Sequence, residues 1–303
     1  MSQPSLPLPP LNLMRRIALR PAPVTEMQAE FIEGGRLRRD SICAALPEGW
    51  SFARKSVLDF GCGPGRVLRH FHAEALECSF SGCDIDAESV GWLRGALAPP
   101  FTLFVSDEAP PLPLESNSLD LIYATSVFTH LTDLWGEWLV ELRRLLKDDG
   151  LLFMTFLGCD AFAGRYIRQP WTEDQIGLTM LGIVPPEEGG AIVLMSEWWT
   201  KAHLGRGFDI LDMRADGWGA LPDRAGRGQG MLLLRRKPGP LSAEQLLAPE
   251  PDEPREWASA QLNLMLLRHE ILELRGKQRE GPVKPQSPHP SQRQRLAKLV
   301  RRK

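Results

Sequence analysis

The chain has 303 residues, of which 43% are hydrophobic and 24% are charged, and its formal net charge at pH 7 is -2. These values are ordinary for a globular protein and exclude the charge-rich, apolar-poor class of disordered chains. A charge so close to zero gives no global reason to expect nucleic acid as a partner.

The cysteines and the apolar runs bear on the compartment. The 5 cysteines are odd in number and lack paired C-x-x-C spacing, so we expect reduced thiols and neither a disulfide framework nor a metal site. Prolines interrupt the N-terminal stretch where a signal peptide needs a continuous apolar core. No apolar run approaches the ~20 residues that span a bilayer. We therefore expect a cytoplasmic chain without a signal peptide or a transmembrane segment.

The first half of the chain changes from a Pro-rich opening to an alternating pattern. Residues 1–23 form a Pro-rich segment whose beginning we expect to be mobile, and residues 24–47 predict helices interrupted at Gly34-Gly35. From residue 55 onwards, short apolar runs alternate with longer amphipathic segments, which predicts buried strands separated by helices. The predicted strands are Val57–Phe60, Ser79–Cys83, Phe101–Val105, Leu119–Ala124 and Leu151–Phe156. The predicted helices are Gly65–Leu76, Asp86–Leu97 and Asp133–Leu146.

The strand pattern predicts the fold class. Continuous apolar strands that alternate with helices imply a parallel sheet covered on both faces, so the class is α/β, doubly wound. Residues 158–205 then form an insert rich in Trp, Gly and Pro, with a helix capped by Ser196. Two further strands, Phe208–Met213 and Met231–Arg235, have no long helix between them, which predicts an antiparallel pair.

Three segments follow these strands. Residues 238–254 predict a linker, residues 255–276 an amphipathic C-terminal helix, and residues 277–303 a disordered basic tail. The helix carries an approximate heptad seam at Trp257, Gln261, Leu264, Leu267, Ile271 and Leu274. This seam predicts either self-association of the chain or docking of the helix on its own domain.

The stretch VLDFGCGPGRV places a carboxylate at a strand end and then three alternating glycines. Glycines remove Cβ atoms where a ligand approaches the backbone, and a loop before a helix leaves N–H groups and the positive end of the helix dipole facing that ligand. The alternative is a turn that binds no ligand and only joins a strand to a helix. A dinucleotide-dependent oxidoreductase is another alternative, although its G-x-G-x-x-G fingerprint has the third glycine one place later.

Two more acids end neighbouring strands. Asp84 ends the second strand, where an acid can accept hydrogen bonds from both ribose hydroxyls, and Asp107 follows the third. One acid at a strand end is weak support, because such residues also cap helices. Together with Asp59, they put acids at the ends of three successive strands and predict a nucleotide crevice.

Four ordered blocks now carry a resemblance. DFGCGPGR, GCDID, SDEAPPLPLESNSLDLIYATSVFTHL and ELRRLLKDDGLLFMTF resemble class I S-adenosylmethionine-dependent methyltransferases over about residues 30 to 237. The resemblance implies a Rossmann-like seven-stranded sheet, mostly parallel with the last strand antiparallel, in a methyltransferase domain over residues 24–237. It implies S-adenosylmethionine as cofactor. The cofactor-binding residues that it implies are Asp59, Gly61, Gly63, Gly65, Asp84, Ile85, Asp107, Glu108, Thr125 and Ser126.

The methyl acceptor is predicted only as a class. The stretch ATSVFTH lacks the Asn/Asp-Pro-Pro-Tyr/Phe motif of relatives that methylate amides or exocyclic amines. We expect a small molecule or a glycan, with oxygen as the preferred acceptor atom, because the SVFTHL block and the insert are similar to those of bacterial enzymes of these classes. A non-catalytic, cofactor-binding assembly subunit is the remaining alternative.

Candidate acceptor-side residues follow the fourth strand and lie in the insert. His130 is the candidate general base. Its alternative role is to orient the helix start or to line the cofactor pocket without moving protons. His203 is expected to face solvent. Aromatic residues of the insert predict either a stacking wall for the substrate or the core of the insert. They are Tyr166, Trp171, Trp198 and Trp199.

Overall fold

The structure is a computed structural model. It describes residues 6–17, 22–132, 134–158, 172–181, 191–218 and 229–280. The chain divides into two units, residues 1–262 and residues 263–303, and the first unit holds both sheets. Within the described ranges, no helix has the length and apolarity that crossing a membrane requires.

The main sheet has seven strands and confirms the predicted fold class. Its strands are β1 (Ser56–Phe60), β2 (Ser79–Asp84), β3 (Thr102–Val105), β4 (Leu119–Ala124), β5 (Leu146–Phe156), β8 (Phe208–Trp218) and β9 (Gln229–Arg236). Their order is β3-β2-β1-β4-β5-β9-β8. Strands β1 to β5 pair in parallel, whereas β9 is antiparallel to both β5 and β8. The insert contributes a separate antiparallel pair, β6 (Leu178–Leu181) and β7 (Ile192–Met195).

Helices cover both faces of this sheet. They are α1 (Leu11–Arg16), α2 (Val24–Ala45), α3 (Ala87–Leu97), α4 (Trp135–Leu145), α5 (Glu197–Trp199), α6 (Ala243–Leu247) and α7 (Pro254–Glu280). Trp138 and Leu142 of α4 belong to the core on one face, and Ile42 of α2 and Leu93 of α3 belong to the core on the other. The core is therefore two layers separated by the buried strands, as the apolar runs predict.

The helix predicted over Gly65–Leu76 is wrong. The structure has two short 3-10 turns there, Leu68–Phe71 and Glu74–Leu76. Leu68 and Phe71 are fully buried, and residues three positions apart lie on the same side of a 3-10 turn. The apolar spacing is therefore satisfied without an α-helix.

The predicted break at Gly34-Gly35 is also wrong, because α2 runs through both glycines. A Cβ atom on Gly35 would lie 2.1 Å from the carbonyl oxygen of Arg66 and 2.9 Å from Nε2 of His70. Gly35 therefore permits close approach of α2 to the segment after the glycine loop. The sequence shows the two glycines, but it does not show that the backbone of Arg66 packs against Gly35.

A pair of glycine substitutions tests this packing. Gly35→Ala is expected to destabilise the fold by about 1–3 kcal/mol, because the new methyl group must push a backbone carbonyl aside. Gly91→Ala is the matched control, since Gly91 is also helical but has open space around its Cα atom. That change should stabilise the fold by about 0.5–1 kcal/mol through helix propensity. Urea unfolding measures both, and equal stabilisation by the two changes would contradict the close packing of α2.

Two segments predicted as a Pro-rich N-terminal segment and as a linker contain short helices with buried residues. Leu13 and Met14 of α1 are buried, and Leu246 of α6 is fully buried. Helix α6 begins with a capping box in which Ser242 and Gln245 exchange side-chain and backbone hydrogen bonds. The apolar residues between the prolines therefore anchor both segments. Most of the predicted basic tail, residues 281–303, lies outside the described residues.

Candidate functional site

The topology creates a crevice at the carboxyl ends of the central strands. Strand β1 lies between β2 and β4, so the chain runs outward from β1 to β3 and then returns to β4 on the other side. Open α/β sheets bind ligands outside the strand ends at such a reversal. The glycine loop, Asp84, Asp107 and the turn after β4 follow these strand ends, so the structure brings them to one edge.

The three loop glycines have different roles. All three have positive φ angles, of 78° for Gly61, 51° for Gly63 and 79° for Gly65, which side-chain-bearing residues rarely adopt. A Cβ atom on Gly61 would lie 2.3 Å from Val127 Cγ2, and one on Gly65 would lie 2.6 Å from Leu93 Cδ2. A Cβ atom on Gly63 would meet nothing closer than 3.8 Å. Its neighbours would be Ile17 Cγ2 at 3.8 Å and Asp84 Oδ2 at 3.9 Å, so Gly63 is the loop glycine with the most room around it.

The expectation of free loop N–H groups is wrong. The amides of Gly61 and Cys62 both donate to the Cys83 carbonyl at 2.9 Å, and the Gly65 amide donates to the Cys62 carbonyl at 3.0 Å. The Gly63 amide donates to Oδ2 of Asp84 at 2.6 Å. In addition, no α-helix follows the loop to supply a dipole. Carboxylates and the room at Gly63, rather than these four loop amides, are therefore what the site offers to a ligand.

Asp84 is held by the backbone on both of its oxygens. Oδ2 accepts from Gly63 N–H at 2.6 Å, and Oδ1 accepts from Asp86 N–H at 2.8 Å. Each carboxylate oxygen has two lone pairs, so one acceptor position on each oxygen remains. Burial raises the pKa of Asp84. The geometry suits a pair of neighbouring hydroxyl donors.

The residues predicted beside the adenine ring lie on the surface of the same edge. Ile85 exposes 55% of its area, although it is a large apolar residue. Asp107 and Glu108 follow β3 and are exposed, and the Glu108 carbonyl accepts a hydrogen bond from Trp138 Nε1 at 2.9 Å. An exposed isoleucine near two acids suits a ligand that has both an apolar ring and hydrogen-bond donors. The isoleucine would contact the ring, and the acids would accept from the donors.

Asp59 is buried beneath the loop with one oxygen unpaired. Its Oδ2 accepts from the Tyr123 hydroxyl at 2.8 Å, and its Oδ1 has no partner among the described residues. Burial raises the pKa of Asp59 to about 8; the Tyr123 hydrogen bond opposes this shift, and the negative charge of Asp84 adds to it. The unpaired oxygen is a hydrogen-bonding position that no described residue fills. Sequence reasoning missed Tyr123, which the strand pattern marks only as core.

The turn after β4 is strained and held by two neighbouring strands. Ser126 has a φ of 61°, a left-handed conformation that is uncommon outside glycine. Its N–H donates to Thr155 Oγ1 at 2.7 Å, and its Oγ donates to Gln229 Oε1 at 3.0 Å. Thr155 and Gln229 lie far away in sequence, so no local signal identifies them. Thr125, beside Ser126, is half-buried at the same strand end.

His130 has a defined tautomer when it is neutral. Its Nδ1 lies 2.8 Å from the carbonyl oxygen of Ala191, which can only accept, so Nδ1 carries the proton. The lone pair of the neutral ring is therefore on Nε2. The His130 side chain is exposed, and β7 is fastened beside it by a hydrogen bond from Val193 N–H to the Thr129 carbonyl. The arrangement allows Nε2 to accept a proton.

The aromatic residues of the insert separate into two groups. Trp198 and Trp199 expose only 6% and 4% of their area, and Trp199 stacks on His203 with ring centroids 4.3 Å apart. This geometry favours a packing role over a stacking wall for both. His203 is 1% exposed, so the expectation that it faces solvent is wrong: its Nε2 lies 2.5 Å from Glu256. Tyr166 and Trp171 lie outside the described residues.

Comparison with known proteins adds to this geometry. A family model described as a methyltransferase domain matches residues 58–154. Malonyl-[acyl-carrier protein] O-methyltransferase of Enterobacter lignolyticus is 30% identical over 136 residues, covering 45% of this chain and 50% of the relative. The protein of that name from Legionella pneumophila is 29% identical over 127 residues, covering 40% and 42%. The chain therefore spans about half the length of these relatives, or less.

A solved structure supports the fold alone. Phosphoethanolamine N-methyltransferase 1 of Haemonchus contortus, in complex with phosphoethanolamine and S-adenosylhomocysteine, aligns with a TM-score of 0.52. The two chains are 15% identical, and the alignment covers 82% of this chain and 52% of that one. At this identity the likeness concerns the path of the backbone and not the acceptor.

Proposed function

We propose that this chain, whose residues 58–154 belong to the class I S-adenosylmethionine-dependent methyltransferase family, methylates an oxygen atom of a small molecule. The observation that carries the proposal is Asp84, which is fixed by two backbone amides and keeps acceptor capacity beside Gly63. Family membership replaces the dinucleotide oxidoreductase as the interpretation of the glycine loop.

The residues of the crevice fit S-adenosylmethionine. Asp84 would accept from both ribose hydroxyls, and Ile85 and Asp107 would lie at the adenine. Gly63 would admit the methionyl part, and Asp59 with its unpaired Oδ1 would lie beneath it. When bound, S-adenosylmethionine supplies an electrophilic methyl group on a sulfonium that is its own leaving group. The protein is then left mainly with aligning the acceptor, which needs few diagnostic side chains.

His130 is proposed as the general base for a hydroxyl acceptor. A hydroxyl must lose its proton as it is methylated, and Nε2 of the neutral His130 ring carries the lone pair that can take it. The Ala191 carbonyl holds the ring by accepting from Nδ1–H, so the tautomer is set before substrate arrives. A hydroxyl of a sugar or of another small molecule meets this requirement equally.

Substitution of His130 is expected to lower turnover by about 10²- to 10⁴-fold while leaving S-adenosylhomocysteine affinity unchanged. His130→Asn is the informative variant, because its amide can still donate to the Ala191 carbonyl but cannot take the proton. Turnover is measured at saturating cofactor and affinity by calorimetry. Normal turnover of the Asn variant together with loss in His130→Ala would mean that His130 orients the turn and does not act as a base.

A carboxylate acceptor is the second candidate, and the two relatives named above favour it, since both are malonyl-[acyl-carrier protein] O-methyltransferases. A carboxylate is ionised at neutral pH, so its methylation needs no base, and the His130 variants would then keep their turnover. A panel of malonyl thioesters, sugars and phenols, incubated with labelled methyl donor and analysed by product mass, separates the two. Cofactor binding without any methylated product would favour the non-catalytic assembly subunit. Failure to bind the cofactor would overturn the proposal.

A further inference from the structure

The C-terminal helix α7 presents an apolar stripe to solvent. Trp257, Leu264, Leu267, Ile271 and Leu274 are 46% to 70% exposed, which is unusual for large apolar side chains on one helix face. We call these five residues the α7 stripe. Their spacing fits a strict heptad with Trp257, Leu264 and Ile271 at position a and Leu267 and Leu274 at position d. In this register Ala260 occupies the first d position. Gln261, which the sequence analysis placed in the seam, falls at the neighbouring position e.

The α7 stripe is not the face that the helix uses within its own domain. Ser259 and Leu262 are 5% and 8% exposed, and they occupy heptad positions c and f, opposite the a and d positions. Ser259 packs closely against Gly177, because a Cβ atom on Gly177 would lie 2.5 Å from the Oγ atom of Ser259. Within the first unit, docking of the start of α7 therefore uses Ser259 and Leu262 and leaves Trp257 of the stripe exposed.

We propose that the α7 stripe pairs with the same stripe of a second copy of this chain in a parallel, two-stranded coiled coil. A heptad a/d seam is the pattern that two helices bury against each other, and Ile271 at position a with Leu274 at position d is the combination that favours two strands. Pairing removes the exposed apolar area from water, which is the driving force. The proposal concerns the helix alone and is independent of the methyl acceptor.

The flanking charges favour the parallel orientation. Glu270 is at heptad position g and Arg275 at position e of the next heptad, so in a parallel pair Glu270 of one copy faces Arg275 of the other. An antiparallel pair could instead overlap the four stripe residues Leu264, Leu267, Ile271 and Leu274 of both copies. That pair would bring Glu270 of one copy beside Glu270 of the other, and Arg268 beside Arg268. Like charges so placed disfavour that arrangement.

The oligomeric state of the full chain tests the proposal. Sedimentation of the unmodified chain should change from monomer to dimer as its concentration rises. Leu267→Glu should weaken dimerisation by about tenfold or more, because it places a charge in the buried seam of both copies. Leu272→Glu is the matched control: Leu272 is exposed at position b, outside the seam, so this variant should dimerise like the unmodified chain.

A charge exchange tests the orientation. Glu270→Arg should weaken a parallel dimer, and adding Arg275→Glu should restore it by recreating the pair across the interface. Circular dichroism and S-adenosylhomocysteine binding are measured for every variant, so a loss of folding or of the proposed cofactor site is distinguished from a loss of dimerisation. A chain that stays monomeric at its highest soluble concentration, equal effects of Leu267→Glu and Leu272→Glu, or no restoration by the double exchange would overturn the proposal.

Discussion

Replacing Asp84 with alanine is expected to weaken binding of S-adenosylhomocysteine by about 10²- to 10⁴-fold. Hydrogen bonds to a charged acceptor contribute about 1.5–3 kcal/mol each, and Asp84 has two acceptor positions left for two ribose hydroxyls. Because both bonds are lost together, the effect should exceed that of any other single carboxylate in the crevice. Isothermal calorimetry with S-adenosylhomocysteine measures it without requiring an acceptor.

The control must separate the lost ligand contacts from damage to the loop. Asp84 also accepts from the Gly63 and Asp86 amides, so the melting temperature of the variant is recorded beside its affinity. Glu88→Ala removes a nearby carboxylate that pairs with Arg16 and Asn12 instead. That variant should bind the ligand almost normally. Unchanged affinity in Asp84→Ala would contradict its assignment as the ribose ligand, and equal losses in both variants would point to a general charge effect.

The strands of this fold could be predicted because their signal is local. Each central strand is a continuous apolar run, and β4 occupies the predicted span of Leu119–Ala124. Strand β5 extends further than expected, because Leu146 to Gly150 also join the sheet. The antiparallel pairing of β8 and β9 followed from the lack of a crossover helix between them. The strand order, by contrast, was not predicted, because local apolar runs do not show which strands are neighbours.

Two of the failed predictions concern contacts between distant segments. The glycines of α2 suggest a break until the carbonyl of Arg66 is placed against Gly35. The sequence predicts free loop amides, because it does not show that the Cys83 carbonyl and the Asp84 carboxylate lie beside them. In each case the missing partner lies more than 20 residues away in the sequence. Local spacing carries no information about such a partner.

The candidate site divides in the same way. Its acids and glycines could be predicted because their type and their position at strand ends can be read from the sequence. Tyr123, Thr155 and Gln229 could not, because each acts through one hydrogen bond to another site residue. A buried tyrosine, a threonine within a strand and a glutamine at a strand start are common in any core. Only the partner makes them part of the site.

Asp59 is expected to make the stability of the protein fall as pH rises. The unfolded carboxyl loses its proton near pH ~4, whereas burial raises the pKa of folded Asp59 to about 8. Between these values the unfolded state binds fewer protons than the folded state, so the free energy of unfolding decreases with pH. Asp59→Asn removes this titration while its amide oxygen can still accept from the Tyr123 hydroxyl.

The stability of Asp59→Asn relative to the unmodified protein should therefore rise by about 3–4 kcal/mol between about pH 5 and pH 8, and then level off. Urea unfolding at several pH values measures this slope, and any constant cost of burying the new amide cancels from it.

Asp86→Asn is the matched control. Although partial burial acts to raise the pKa of Asp86, hydrogen bonds from Ser89 and Arg16 lower it, so its carboxyl is ionised in both states across this range. Asn also caps a helix as well as Asp does, so the Asp86 difference should stay flat. A flat difference for Asp59→Asn as well would mean that Asp59 is already ionised in the folded protein, with its unpaired oxygen satisfied by solvent.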